Sequence, residues 1–345
     1  MATTGRGSAA ALAGWWCMWN AESGRAVWAC DDGRVPAGSH LARVARQMGA
    51  DGDLLARLAA LQAADLRAVL LDVAARRAAS LCPADVLRRY ETTPLVQPSW
   101  VDAAARRRFV ASAMEMLPEG FVELVLSPHA PLGASSVLGR FSQDRVLTTI
   151  SDTEVVSDST NVLALECARR RRAPRARRDA AATRLAASHQ VLRPRERAHF
   201  GLLALCSAGR DRGSYEMQIE ALRDHLRWHL HVITQHAARL AVEVLVTDLS
   251  AAARRVILDE QLVRPLQADW PDIVVGFDDD RRAGRNYYTE VCFAIDAVHS
   301  DGSRSNVSDG GFTDWTARLL ADAKERLLIS GLGSERLLAL AKAAS

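Results

Sequence analysis

The chain has 345 residues, 49% of them hydrophobic, and carries 44 basic and 41 acidic residues for a net charge of +3. That composition supplies a buried core and excludes a disordered chain, while so mild a basic balance is by itself no argument for nucleic acid. Six scattered cysteines without a Cys-x-x-Cys pair argue against a zinc or disulfide framework, and no apolar run reaches the ~20 residues that span a bilayer, so reduced thiols in a cytoplasmic protein are expected.

Residues 1–50 hold four of the eight tryptophans, much glycine and no clear period, and read as a poorly ordered extension. Arg6 ahead of the apolar stretch Ala9 to Trp19 weakly imitates a signal peptide, but the stretch contains Gly14 and large residues, and no convincing small-x-small cleavage site follows. A helical region occupies 51–118. Leu54, Leu55, Leu58, Leu61, Leu66, Val69, Leu70 and Val73 recur near the 3.6 period. Pro83 opens a short helix to Tyr90, Thr92 to Pro98 is a linker, and Trp100 to Leu117 is the next helix, with Asp102 near its start.

The remainder, 119–345, reads as a single α+β core. Strands are expected at Phe121–Leu126, Val191–Leu192, Phe200–Leu205, Leu240–Thr247, Tyr288–Ala297 and Leu327–Ser330, separated by long helices. Val146–Ile150 and Glu154–Val156 read as a strand pair. Ser157-Asp158-Ser159-Thr160 caps a helix from Asn161 to Arg170, because short oxygen-bearing side chains satisfy free N–H groups there. The run Arg169 to Arg178 is either a solvated loop or a contact to RNA or another polyanion; it contains no aromatic residue for base stacking. Ser207 to Ser214 is a polar, glycine-bearing loop that is either an ordinary turn or a phosphate cradle. It leads into a helix from Tyr215 to His236. His225 and His229 are i,i+4 neighbours, as in some zinc sites, but no Glu follows His225, and a structural role is preferred. A helix runs from Ser250 to about Leu266. Asp278, Asp279 and Asp280 with Arg281 and Arg282 read as a surface turn rather than a cation site, and Thr316 to Arg326 as a helix.

Three ordered pieces close the chain: Arg285-Asn286-Tyr287-Tyr288-Thr289, then Asp309-Gly310-Gly311-Phe312-Thr313-Asp314, then Gly331-Leu332-Gly333-Ser334-Glu335-Arg336-Leu337. Their order resembles the end of the catalytic core of class II aminoacyl-tRNA synthetases, most of all the histidyl branch. Upstream, Gly120-Phe121-x-Glu123-Leu124 with Pro128 resembles motif 1, and Arg184 to Arg193 resembles the strand entering motif 2. The resemblance covers about Gly120 to Leu340 and leaves no room for the anticodon-binding domain of histidyl-tRNA synthetases.

The resemblance implies a mostly antiparallel sheet of about six strands flanked by helices. It implies a homodimer through the motif 1 strand, and ATP with Mg2+ acting on a small-molecule carboxylate. Arg193 and Arg336 would serve catalysis by meeting phosphate, converging on one pocket with Asp158 nearby. Glu196, Gly331, Gly333 and Glu335 would complete the nucleotide site. Asp158, Thr160, Tyr287 and Tyr288 would hold the substrate, Asp158 standing where the family has a Glu for the α-amino group. The sequence departs at Ala283, where the family has an Arg four residues before the Tyr pair, at Phe312 within the Gly-Gly-Arg-Tyr element, and at Leu202 and Cys206, where polar substrate contacts are usual. These losses argue against histidine charging of tRNA. Two functions follow: ATP-dependent activation of an amino acid or related carboxylate, or a non-catalytic subunit similar to the regulatory subunit of ATP phosphoribosyltransferase.

Overall fold

The computed structural model describes residues 17–20, 25–28, 43, 44, 47, 53–173, 182–194, 198–250, 253–282, 284 and 288–344. The chain divides into two units, Met1–Arg77 and Ala78–Ser345. The first unit contains an antiparallel pair, β1 (Cys17–Asn20) with β2 (Arg25–Trp28). The rest of the expected extension lies largely outside the described residues. The apolar 3.6-residue pattern beyond Asp53 is split into α1 (Asp53–Ala59) and α2 (Ala63–Ala79) by a turn at Ala60–Leu61.

The second unit begins with α3 (Pro83–Thr92) and α4 (Ala103–Glu115). The Asp102 side chain caps α4 by accepting from Ala105 N at 2.7 Å. Although α4 lies in the region expected to be separate from the core, it is part of that core. Phe109 and Ala113 are buried in it, and Trp228 Nε1 donates to the Ala113 carbonyl at 2.9 Å.

The centre is an eight-stranded sheet. It uses β3 (Phe121–Glu123), β6 (Thr183–Arg193), β7 (Ala198–Arg210), β8 (Val242–Asp248), β9 (Val274–Phe277), β10 (Val291–Val298), β11 (Arg304–Thr313) and β12 (Glu325–Gly333). The order is β3-β6-β7-β12-β11-β10-β8-β9; the outer pairs β3–β6 and β8–β9 are parallel and the rest antiparallel. The short strands β4 (His129–Pro131) and β5 (Thr153–Val155) pair with each other apart from it. Val146–Ile150 is not a continuous strand, but it meets β5 as expected at one antiparallel bridge, Thr148 with Glu154, where Val155 N donates to the Leu147 carbonyl and Thr149 N to the Thr153 carbonyl, both at 2.9 Å.

Alternation along the strands divides the core into two layers. Leu203, Leu205, Leu328, Leu332, Phe293 and Phe312 face the long helix α6, which follows α5 (Ser159–Arg171) in the chain and spans Glu216–His236. Leu202, Ala204, Cys206, Leu327 and Ile329 face the opposite layer, formed by α5 and by Trp315. The helix expected from Ser250 is α7 (Arg255–Leu258) and α8 (Arg264–Asp269), joined by one π turn. The helix expected at Thr316–Arg326 is the shorter α9 (Trp315–Leu320), ended by Ala321 in the left-handed region at φ 51°. The chain closes with α10 (Ser334–Ala343).

Two features of the α6 layer are polar. His225 and His229 are wholly buried and bonded only to serines: His225 to Ser207 (2.9 Å) and Ser330 (2.8 Å), His229 to Ser330 (2.9 Å) and Ser308 (3.1 Å). Burial holds the His229 imidazole down at about 3 and that of His225 well below its usual range. The i,i+4 pair is thus part of a hydrogen-bonded core, and no group of three or more potential ligands among the described residues could hold a metal. On the other face, Arg171 and Glu325 are each 1% exposed and joined by two bonds of 2.5 and 2.8 Å, tying the end of α5 to the start of β12. Arg169 and Arg170 both pair with Glu166, so the described part of the arginine run is largely engaged within the protein.

Candidate functional site

A cavity of about 290 Å³ opens on the α5 face of the sheet. Its walls come from distant parts of the chain: Asp158 and Thr160 at the start of α5, Arg193 at the end of β6, Leu202 on β7, Asp309 on β11 and Ile329–Gly331 on β12. Arg281, Gly284 and Tyr288 arrive from the segment between β9 and β10. Each position has a local cause. Asp158 is the N-cap of α5, and its Oδ1 accepts from Thr160 N at 2.9 Å and Thr160 Oγ1 at 2.7 Å. Arg193 donates through Nε to the Ser157 carbonyl at 3.2 Å, and its guanidinium stands 5.0 Å from the centre of the Phe200 ring.

Tyr288 is buried, and its hydroxyl donates to Asp309 Oδ2 at 2.9 Å. Gly311 makes room for that ring. A Cβ there would come within 2.5 Å of Tyr288 Cδ1 and 2.6 Å of Cys292 Cβ, so only glycine fits. Arg281, with a side chain 10% exposed, lies with its Nη2 3.9 Å from Asp309 Oδ2 and its guanidinium 6.0 Å from the Tyr288 ring. The Asp309 carboxyl is deep in the fold yet still meets solvent in the cavity. Burial pushes it up, the Tyr288 bond and the Arg281 charge pull it down, and the Asp158 charge pushes it up further.

Of the residues picked from sequence, Asp158, Thr160, Arg193, Tyr288 and Gly331 meet in this cavity. Glu196, Tyr287 and Ala283 lie outside the described residues. Arg336 is exposed, does not line the cavity, and donates from Nη1 to the Asn306 carbonyl at 3.0 Å. Gly333 lies close to Arg336 and Phe200: its absent Cβ would be 3.7 Å from Arg336 Cβ and 3.9 Å from Phe200 Cδ2. Glu335 is buried and occupied by the fold, accepting from Gly201 N and Ser334 Oγ, both at 2.7 Å. Cys206 lies beneath Thr160, its Sγ 3.7 Å from the Thr160 carbonyl, and burial pushes its thiol well up, so it is no nucleophile. The loop Ser207–Ser214 offers no obvious phosphate cradle. Its first half is strand, Asp211 Oδ1 accepts from Gly213 N at 2.9 Å, and Arg210 pairs with Asp322.

Sequence reasoning missed Arg281 and Asp309. Arg281 sits in a run of charges that reads as a surface turn, and Asp309 precedes the two glycines of the second motif piece, to which the resemblance gives no substrate role. A signal for Arg281 was present nonetheless: it is two residues from Ala283, where the related pattern has its arginine.

The architecture is the class II aminoacyl-tRNA synthetase core fold, an antiparallel sheet flanked by helices. Among solved structures, the chain is similar to apo S. aureus histidyl-tRNA synthetase, with 14% identity over 71% of this chain and 68% of that one and a TM-score of 0.54. It is similar to an ATP phosphoribosyltransferase regulatory subunit/histidyl-tRNA synthetase from Bacillus halodurans C, with 12% identity over 71% and 81% and a TM-score of 0.51. It is also similar to the RNA binding domain of threonyl-tRNA synthetase from Cryptosporidium parvum Iowa II, with 10% identity over 72% and 67% and a TM-score of 0.54. No protein-family model and no curated protein matches the sequence. No helix among the described residues is long and apolar enough to cross a membrane.

Proposed function

We propose that this chain activates an amino acid or related carboxylate with ATP in the cytoplasm, forming an acyl-adenylate and releasing pyrophosphate. The observation that carries this reading is the meeting of Asp158, Thr160 and Arg193 in one cavity. An α-ammonium group is matched by the Asp158 carboxylate, which α5 already holds in place through Thr160. A carboxylate and the α-phosphate it attacks are matched by Arg193, whose planar fork binds two oxygens at once. The charge that develops on the phosphate as the substrate oxygen bonds to phosphorus falls on that guanidinium, and pre-set charge of this kind lowers the barrier. Alignment of the two reactants supplies the rest. The Phe200 ring, between Arg193 and Gly333, offers a flat aromatic face for a purine. Mg2+ would travel on the triphosphate, since the described residues offer no metal cage and Mg2+ commonly keeps water and phosphate ligands.

A homodimer accompanies this reading. β3 is an edge strand, and its Val122 and the following Val125 are exposed, which invites a second copy. The second reading, a non-catalytic regulatory subunit, is favoured by one observation: Arg336 engages Asn306 rather than the cavity. Amino-acid-dependent exchange of labelled pyrophosphate into ATP separates the two. Activation predicts exchange that Arg193→Ala abolishes. Nucleotide or amino-acid binding, read by thermal shift, without exchange for any amino acid would favour the regulator.

A further inference from the structure

The cavity holds a second carboxylate that the activation chemistry leaves without a task. Asp309 lies mid-strand on β11 with its side chain 47% accessible, on the cavity wall. Its described neighbours crowd one oxygen. Tyr288 donates to Oδ2, and Arg281 stands 3.9 Å from the same atom, too far for a hydrogen bond. Among the described residues nothing donates to Oδ1. An ionised carboxylate has about four acceptor positions, so Oδ1 has acceptor positions that face the cavity and are open to a ligand's donors. The charge of Asp158 reaches Asp309 as well and disfavours its ionisation, after the larger effect of burial. Two carboxylates on one small cavity are best satisfied by a ligand that brings a positive charge to each.

The geometry points to a diamino carboxylic acid, of the ornithine or lysine kind, as the amino acid this cavity takes, with Asp309 reading the side-chain ammonium. The inference rests on the proposed activation reading for the other end of the ligand: α-ammonium on Asp158, carboxylate on Arg193. Between the two ends, Leu202 and Ile329 give an apolar wall for the methylene chain. Tyr288 is a positioning residue, holding the Asp309 carboxylate by its hydroxyl. The competing account is that Asp309 serves only to balance Arg281, in which case the cavity is indifferent to the charge at the side-chain tip.

Calorimetry on the full chain, first without nucleotide, compares ornithine and lysine with norvaline and norleucine, which share the carbon chain and lack the terminal amine. A site built around a hydrogen-bonding partner rejects the analogue that lacks it, so the better diamino acid should bind about 100-fold or more tightly than its apolar counterpart. Asp309→Asn should shrink that ratio to within about 10-fold. Equal binding of norleucine by the wild-type protein, a ratio that survives D309N, or no binding of any amino acid overturns the inference. The wild-type ratio decides the matter by itself if D309N fails to fold. Pyrophosphate exchange then keeps the two readings apart. Asp309-dependent binding of a diamino acid with no exchange sinks the activation reading alone. Exchange driven by an apolar amino acid sinks the diamino inference alone.

Discussion

Mild acid should destabilise this protein through His225 and His229. Both are wholly buried, bonded to serines and neutral in the folded state, with His229 held at about 3 and His225 well below its usual range. In the unfolded chain both take a proton below about 6.5. The sign follows: the unfolded state binds more protons, so stability is complete above about pH 6.5 and falls as pH drops toward the folded values. Each histidine costs about 1.4 kcal/mol per pH unit once well below 6.5, so the pair removes about 4 kcal/mol between pH 7 and pH 5. That is a large part of the roughly 5–15 kcal/mol of a typical domain. His189 and His236, depressed by partial burial, act in the same direction, while the raised carboxyls of Asp224 and Asp309 oppose it. Denaturant unfolding at pH 7, 6 and 5, followed by tryptophan fluorescence, gives the slope. The double variant His225→Asn, His229→Gln should be less stable at pH 7 yet lose about 4 kcal/mol less on going to pH 5. An unchanged slope in that variant, or a wild-type stability flat to pH 5, would refute the argument.

Three other outcomes follow from the packing. Arg171→Met leaves the Glu325 carboxylate buried and unpaired and should cost about 3–5 kcal/mol in denaturant titration, whereas the double replacement Arg171→Met, Glu325→Leu should recover most of it. Gly311→Ala drives a methyl into the Tyr288 ring and should cost about 1–3 kcal/mol by thermal unfolding, with loss of amino-acid binding. Asp158→Ala removes the α5 cap and should cost about 1 kcal/mol, while Asp158→Ser keeps most of that stability. Calorimetry should find ligand binding lost in both, because both remove the charge.

The sequence was legible where local chemistry and tertiary packing agree. Short continuous apolar runs, Phe200–Leu205 and Leu327–Ser330, located β7 and β12, which are buried on both faces, and Asp158-Ser159 marked the start of α5 within two residues. The sheet's direction and the meeting of Asp158 with Arg193 were readable because ordered motifs constrain the topology. β11 was not legible as a strand, since Ser305 to Thr313 is built of Ser, Asn, Asp and Gly, residues poor in strand preference, and its pairing with β10 and β12 overrides that preference. β9 is only four residues long and was not picked out, although Ile273, Val274, Val275 and Phe277 favour a strand. Arg281 was misread because a charge in a run of charges is normally solvated; only its contact with the Tyr288–Asp309 corner distinguishes it. Arg336 matched its motif, but sequence could not fix a rotamer that turns to the Asn306 carbonyl.

The buried Arg171–Glu325 pair has a bearing on how such a site changes over time. It fastens the far end of the helix whose first residues carry Asp158 and Thr160, and the strand it fastens them to supplies Ile329–Gly331 across the cavity. The spacing of those two walls is therefore set some thirteen residues of helix away from any ligand. Arg281 and Tyr288 come from the segment between β9 and β10, and Asp309 from β11, which pairs with the braced strand at Gly331. A lineage, or a protein engineer, could exchange the residues at 281, 288 and 309 to reshape one side of the cavity while Asp158, Thr160 and Arg193 stay untouched. One scaffold would then serve a succession of substrates by turnover at three positions.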